Sequence, residues 1–521
     1  MRILILAIFF SLSLNANVEH IHISNPVYDY LLRAQARGFI PNSSLAQLPL
    51  QRKEIIDFLD RIKSHENELT NSEILILRKY LNEFGIPFGT VDSLKYRRKI
   101  NLNFNYKEHN MMVEPLASAD ARSGDGETAT IGNGGFRISG TLGNKLGYNL
   151  QATNGTLVSG SRDLLLLDQQ LSQNIKFARL NSDFDFTESH VRLDLDWFYM
   201  GIARERRLYG NGLFEKLYIS NNAPPMDAVF AGVKINNVEY RFLHGSLISF
   251  PITDASLNSF GQFPPKYFAM HRFSWRPSCG ELAVWEGMIY HDRPMDLAYL
   301  NPFAFYKSIE HSLRDRDNSM MGIDANYRPF KNLQLFGNFV LDDIIFSEIG
   351  NGYWSNKWAY SFGAMYTSEF NLDLGLEYAR VEPFMYTHYN YQNSAVNDSS
   401  QFMGYLPPNS DQITLQTRYW WESRYPIKLD FSYYRHGSDV YEGDSLVVEA
   451  GGDIFNPNAD NDPWTVEFLG GDLNEIFAVN LDIGAELYSG IHAHFVYRFQ
   501  KESINPDPSH FLRFYIEVSD F

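Results

Sequence analysis

The sequence predicts an all-β transmembrane barrel of about eighteen antiparallel strands, preceded by a small α-helical unit. Three observations predict it. First, apolar residues recur at every second position. Phe136, Ile138 and Leu142 alternate with polar or small residues, and after Gly143-Asn144-Lys145 so do Leu146, Tyr148, Leu150 and Ala152. Second, the segments come in pairs, with tight turns within a pair and long polar connections between pairs. Third, no internal apolar run approaches the roughly 18 residues of a membrane helix, while 31 Tyr and 39 Phe suit the aromatic girdles of a barrel. A mean hydropathy of −0.29 is compatible, because alternation halves the hydropathy of each span.

The elements follow in order. Residues 1–16 read as a secretory signal: Arg2, an apolar run from Ile3 to Leu14, then Asn15-Ala16. Residues 17–95 read as a periplasmic helical unit. A first helix begins after Asn25-Pro26 and stops at Gly38. A second carries Ile55, Ile56, Leu59 and Ile62 on one face. A third opens on the capping box Thr70/Glu73 and presents Ile74, Leu77, Leu81 and Phe84.

Residues 96–521 read as the barrel. Ile100, Leu102, Phe104 and Tyr106 mark the opening strand. Eight hairpins follow, turning near 143–145, 196–197, 236–237, 276–280, 328–332, 367–371, 420–426 and 484–490, and a closing strand starts at Phe511. Connections such as 292–318, 381–411 and 436–475 all fall at one end, which places them outside the cell and both termini in the periplasm. In the closing strand Leu512, Phe514, Ile516 and Val518 keep one phase and Phe521 falls in the other.

The phase opposite the apolar one holds Arg192, Asp194, Arg272, Glu286, Asp324, Glu377, Arg418 and Asp430, followed by Asp482 and Arg498. They are expected to face the lumen as a bracing lattice, with an ion-lined pore as the alternative. Arg272 and Glu286, flanking one turn, are expected to be cross-strand neighbours on the inward face. Trp354, Tyr386, Tyr389, Tyr391 and Trp464 fall in the predicted outer loops among amide and carboxylate side chains, the residue types that stack on and hydrogen-bond a pyranose.

A net charge of −17 argues against nucleic acid as partner. Cys279 is the single cysteine, so no intrachain disulfide or cysteine-rich metal site forms. Gly443-Asp444-Ser445-Leu446 matches an esterase nucleophile block, but in a long loop it reads as coincidence. Asn458, Asp460 and Asp462 lack EF-hand spacing and read as a solvated loop. No metal, cofactor or catalytic residue is expected.

Several motifs resemble those of the Wzi-type capsule assembly outer-membrane proteins: Glu205-Arg206-Arg207-Leu208-Tyr209-Gly210-Asn211-Gly212, then Leu217-Tyr218-Ile219-Ser220-Asn221-Asn222-Ala223-Pro224, then His271-Arg272-Phe273, Trp285-Glu286-Gly287, Asn301-Pro302-Phe303, Glu310, Asp317-Asn318 and Gly322. The segment from Tyr28 to Gly38 and Arg52-Lys53-Glu54-Ile55-Ile56 are similar to that family's opening helices. The resemblance implies an eighteen-stranded barrel with a periplasmic bundle, holding capsular polysaccharide as a lectin rather than an enzyme. It implies surface polysaccharide, outer-membrane lipid and the barrel-assembly machinery as partners of a monomer. A porin-like channel for oligosaccharides or polar solutes is the competing expectation.

Overall fold

The computed structural model describes residues 17–85, 100–174, 176–180, 182–250, 263–422, 424–458, 463–505 and 507–519. The signal-like segment, Asp460, Asp462 and Phe521 lie outside them.

Three helices form where their caps predict. Helix α1 (Val27–Arg37) ends at Gly38, whose φ of 89° is left-handed backbone that a Cβ would strain; the amides of Gly38 and Phe39 return to Gln35 and Ala34 at 3.0 Å. Helix α2 (Arg52–Lys63) starts from a Gln51/Glu54 capping box. Helix α3 (Asn71–Glu83) starts from Thr70, whose hydroxyl accepts the Glu73 amide at 3.2 Å while Glu73 accepts the Thr70 amide at 2.8 Å. Tyr30, Leu31, Ile55, Leu59, Ile62, Leu77 and Leu81 close a shared core, each burial stabilising by roughly 1.5–3 kcal/mol.

The barrel strands are β1 (His109–Gly124), β2 (Glu127–Leu142), β3 (Leu146–Gly160), β4 (Asp183–Asp194), β5 (Phe198–Glu205), β6 (Met226–Ile235), β7 (Val238–Leu247), β8 (Lys266–Trp275) and β9 (Gly280–His291). They continue as β10 (Asn318–Phe330), β11 (Leu333–Asp343), β12 (Lys357–Thr367), β13 (Leu372–Val381), β14 (Ser410–Trp421), β15 (Tyr425–Ser438), β16 (Asp472–Tyr488), β17 (Ile491–Glu502) and β18 (Ser509–Val518). Each pairs antiparallel with its neighbour, and β18 returns to β1 with Phe511 opposite Gly124 and Val518 opposite Ala117, closing an 18-stranded barrel. Closure leaves none of the eighteen barrel strands with a free edge.

All eight anticipated hairpins are present; the opening strand differs. Leu102–Tyr106 pairs only with the start of β1, Leu102 opposite Val113, and stays outside the closure. The first barrel strand is β1, whose run Glu114-Pro115-Leu116-Ala117-Ser118-Ala119-Asp120 has small and polar residues in both phases and so a faint alternation. The connections keep their parity with one exception: Asp125-Gly126, at the long-loop end, is as tight as any turn at the other.

Outward positions such as Phe273, Val284, Ile323 and Phe339 make an apolar band. Arg192, Asp194, Arg272, Asp324, Glu377, Arg418 and Asp430 face inward. Glu286 does not. In the β8–β9 register Arg272 lies opposite Trp285 and Glu286 opposite His271, so Glu286 is on the outward face, where His271 meets it at 3.0 Å. Directly opposed residues share a face, and a one-residue offset reverses it.

The helical unit closes the tight-turn end through ion pairs to the wall. Asp29 meets Arg418 at 3.1 Å and Lys428 at 3.0 Å. Glu54 meets Lys234 at 2.6 Å, and Lys79 meets Glu486 at 2.9 Å. Arg33 pairs with both Glu73 and Asp373.

Candidate site: the outer loops and the filled lumen

The connection 206–225 descends from the outer rim into the lumen. Leu208–Tyr209 pairs antiparallel with Gln47–Leu48 of the helical unit, so segments from opposite ends of the barrel meet inside it. Beyond that, Tyr218 stacks on the inward ring of Trp285 at 3.6 Å and 11°. From β13, Glu377 accepts the amides of Leu213, Phe214 and Glu215 at 2.6, 3.1 and 2.6 Å, a carboxylate anchoring three loop donors. Glu215 in turn accepts the amides of Tyr405 and Leu406 at 2.5 and 3.3 Å, tying the loop 382–409 to the same plug. Burial pushes the Glu215 carboxyl up to about 7, against the pull of the Tyr405 amide.

The inward charges serve this filling. Arg272, fully buried, meets Asp324 at 2.5 Å and Glu281 at 2.9 Å, and Asp324 accepts from Asn211 of the loop at 2.6 Å. Arg192 meets Asp194 at 3.0 Å and lies 3.8 Å from the centre of the Tyr199 ring. Asp430 sits in register between Gln416 and Asn480. Alternating charge signs that pair across and along strands brace the wall.

One inward cluster has the residue types of a metal site: His20, His190 and Glu205, their ligating atoms within 4.8 Å of one another. Its hydrogen bonds give it another reading. The guanidinium of Arg192 is 3.2 Å from Nε2 of His20, and the amide of His20 donates to Nε2 of His190 at 3.1 Å. Both rings therefore keep Nδ1–H to give to Glu205, at 3.0 and 3.4 Å, and Arg207 adds a charge-assisted bond at 2.7 Å. Nitrogens that carry protons bind no metal. Burial lowers the His20 imidazole to about 3, consistent with a neutral ring.

A polar cavity of about 690 Å³ persists beside the plug. It reaches from Lys79 and Arg424 near the helical unit to Asn221 and Tyr405 under the outer loops, with Asp482 and Tyr515 along its wall.

Of the aromatic residues anticipated for sugar contact, Trp464 and Tyr389 are 65% and 64% exposed, and Tyr391, close to Tyr389 in sequence, is exposed too. Trp464 packs on Tyr353 at 4.7 Å, where the loops 344–356 and 439–471 are stitched by a Tyr353–Thr465 bridge. Trp354 is half-buried and meets Phe384 edge-on at 5.8 Å. Tyr386 is fully buried, its hydroxyl donating to the Leu217 carbonyl at 3.0 Å, so it offers no surface to a ligand. Tyr353, Phe250 and Phe455 went unmarked at the sequence level. Phe250 contacts Tyr391 at 5.5 Å and Phe455 at 5.6 Å, so one aromatic strip draws on three loops. For Tyr353 and Phe455 the only signal was an aromatic among Asn, Asp and Gly, and Phe250, between Ser249 and Pro251, had none. Ser445 lies exposed in the hairpin Val440–Glu442/Ser445–Val448, remote from the buried strand a nucleophile elbow requires.

Two of the motifs that carry the family resemblance, 205–212 and 217–224, run into this filling; the others lie on wall strands and in the connection 292–317. Arg206 meets Glu188 at 2.8 Å, Tyr209 accepts from Arg207 and Arg241 at 3.2 Å, and a Cβ on Gly212 would lie 1.7 Å from the Glu215 carbonyl oxygen. The family described as capsule assembly protein Wzi matches residues 79–503. Among solved structures, Wzi of Escherichia coli, described as an outer-membrane, carbohydrate-binding β-barrel involved in group 1 capsule assembly, superposes with a TM-score of 0.60 at 12% identity, covering 96% of this chain and 99% of that one. OprD of Pseudomonas aeruginosa (TM-score 0.44, 10% identity, 78% and 94% covered) and a BenF-like porin of Pseudomonas fluorescens (0.45, 7%, 78% and 97%) are too distant to carry an argument. No curated protein matches the chain in sequence. This chain is an outer-membrane β-barrel, and it belongs to the Wzi family of capsule assembly proteins.

Proposed function

We propose that the protein holds extracellular polysaccharide of the capsular kind at the cell surface, through aromatic and polar side chains of its outer loops and without covalent chemistry. The long loops then face outward and the helical unit faces the periplasm, as the asymmetry of outer-membrane barrels has it. The observation that carries this reading is a division of labour among loop segments: 206–225 and the Tyr405-Leu406 part of 382–409 fill the lumen, while exposed Tyr389 and Tyr391 of that same loop, with Phe455 and Trp464, are presented above it. A filled barrel is a platform rather than a conduit. The carbohydrate binding described for the Escherichia coli protein supports the same reading.

Each aromatic contact with a sugar face is weak, so retention depends on several loops engaging repeats of one polymer. The test pairs two measurements on the full-length protein. Surface polysaccharide from the host is retained on the immobilised barrel, and planar bilayers show no stable open-channel steps. The 690 Å³ cavity favours the porin-like reading, and steady conductance steps without glycan retention would establish that reading instead.

A further inference from the structure

The connection 292–317 does not rise from the rim; it folds down the outside of the barrel. Tyr299 and Tyr306 pack on the outward side chains of Ala269, Met288 and Tyr290. Arg293 and the Tyr299 hydroxyl both bond Asp317, at 2.6–2.8 Å. The fastening is Glu286, the carboxylate found on the outward face. It accepts the amides of Tyr306 and Lys307, at the start of helix α4 (Tyr306–Ser312), at 2.8 and 2.7 Å, besides the bond from His271. An ionisable group on a lipid-facing wall is costly, and here two of its three bonds hold the loop against the wall while His271 meets it from the next strand.

The fastened loop makes an overhang. Beneath it runs a groove of about 500 Å³, floored by Phe273, Val284, Ile323, Phe339 and Leu341 of four adjacent strands and edged by Phe305 of the loop. That volume is in the range of ligand sites, roughly 300–1,000 Å³. Its lining is almost wholly apolar; His271 and Glu286 are bonded to each other and Tyr240 adds one hydroxyl, so a sugar would find little to replace its water. The groove is continuous with the apolar band that meets the bilayer. Further along the loop, Leu297 and Phe303 are 81% and 83% exposed, and Phe303 stacks on outward Tyr240 at 5.7 Å. An open band meets exchanging lipid; a roofed trough can keep one chain.

We infer that this groove seats one acyl chain of a membrane lipid, with Phe305 as its roof and Leu297 and Phe303 resting in the adjoining bilayer. The inference needs only that this wall faces lipid, and it stands whether or not the loops bind glycan.

The full-length protein is reconstituted in nanodiscs of phosphatidylethanolamine and phosphatidylglycerol, transferred to detergent, and weighed by native mass spectrometry. One phospholipid remains on the wild type. Val284→Trp, which fills the groove, and Phe305→Ala, which unroofs it, each cut the lipid-bound fraction at least about tenfold, a loss of one decade in affinity. Phe346→Ala, at an exposed position outside the groove, retains lipid like the wild type. Heat-modifiable mobility reports folding, and either groove variant suffices if the other does not fold. A wild type that keeps no lipid, or folded groove variants that keep as much as the wild type, would overturn the inference.

Discussion

Arg272 is fully buried between Asp324 and Glu281, and this decides what its loss does. Arg272→Met leaves buried Asp324 without its cation and Glu281 with only Arg276 at 3.6 Å, and a destabilisation of about 3–5 kcal/mol is expected, read from urea unfolding of the refolded barrel. Glu215 predicts a pH effect of the opposite kind. Its carboxyl is raised by burial to about 7, so the folded state favours the proton. That contribution is complete below the ordinary glutamate value near 4.5 and is lost as pH rises to about 7. Stability measured across that window should fall, and Glu215→Gln should flatten the slope. Single residues were legible in the sequence where alternation alone settles the face, as for Arg192, Asp324 and Glu377. Glu286 was not: it shares the phase of outward Leu282 and Val284, but the other phase, with Ala283, Trp285 and Ile289, is apolar too, so hydropathy does not single out the lumen side of this strand.

The helices were readable for a different reason: their stops and starts are chemical, in Gly38 and in the Thr70/Glu73 box. Strand β1 was not, since Pro115, Ala117, Ser118 and Ala119 dilute its alternation. Nor was the inward course of 206–225, because a polar loop that fills a lumen and one that meets water have the same composition. The docking of the helical unit is acid-sensitive. Burial alone would raise Asp29, but Arg418 and Lys428 outweigh it and hold the carboxyl at about 2. A depressed carboxylate contributes above its ordinary value near 4 and loses that contribution as pH falls toward 2. Protease cleavage within 17–85 should accelerate over that range, and Asp29→Asn should accelerate it at neutral pH. The anchoring of 206–225 predicts a second element-level outcome. Glu377→Ala frees three amides, and intermittent conductance steps should appear in bilayers where the wild type is silent.

At the scale of the whole molecule, the proposed reading gives filling and display to separate segments, and the loop 382–409 carries both. The two longest family-bearing motifs belong to filling and the others to the wall and the connection 292–317, which explains why they point to a family and a fold and leave the exposed aromatics unmarked. In the proposed reading display rests on aromatics from loops distant in sequence: the fold brings Phe250, Tyr391 and Phe455 together, and Trp464 onto Tyr353. Multivalent holding predicts a steep dependence on their number: Trp464→Ala alone costs a few-fold in retention, and Trp464→Ala combined with Tyr391→Ala costs at least about tenfold. The most direct measurement is a binding isotherm of the host's own purified surface polysaccharide on the full-length barrel in nanodiscs. Saturable binding that collapses in the double variant, with the fold intact, is the predicted result. An absence of binding at every salt concentration, or binding indifferent to both aromatic residues, would contradict the account.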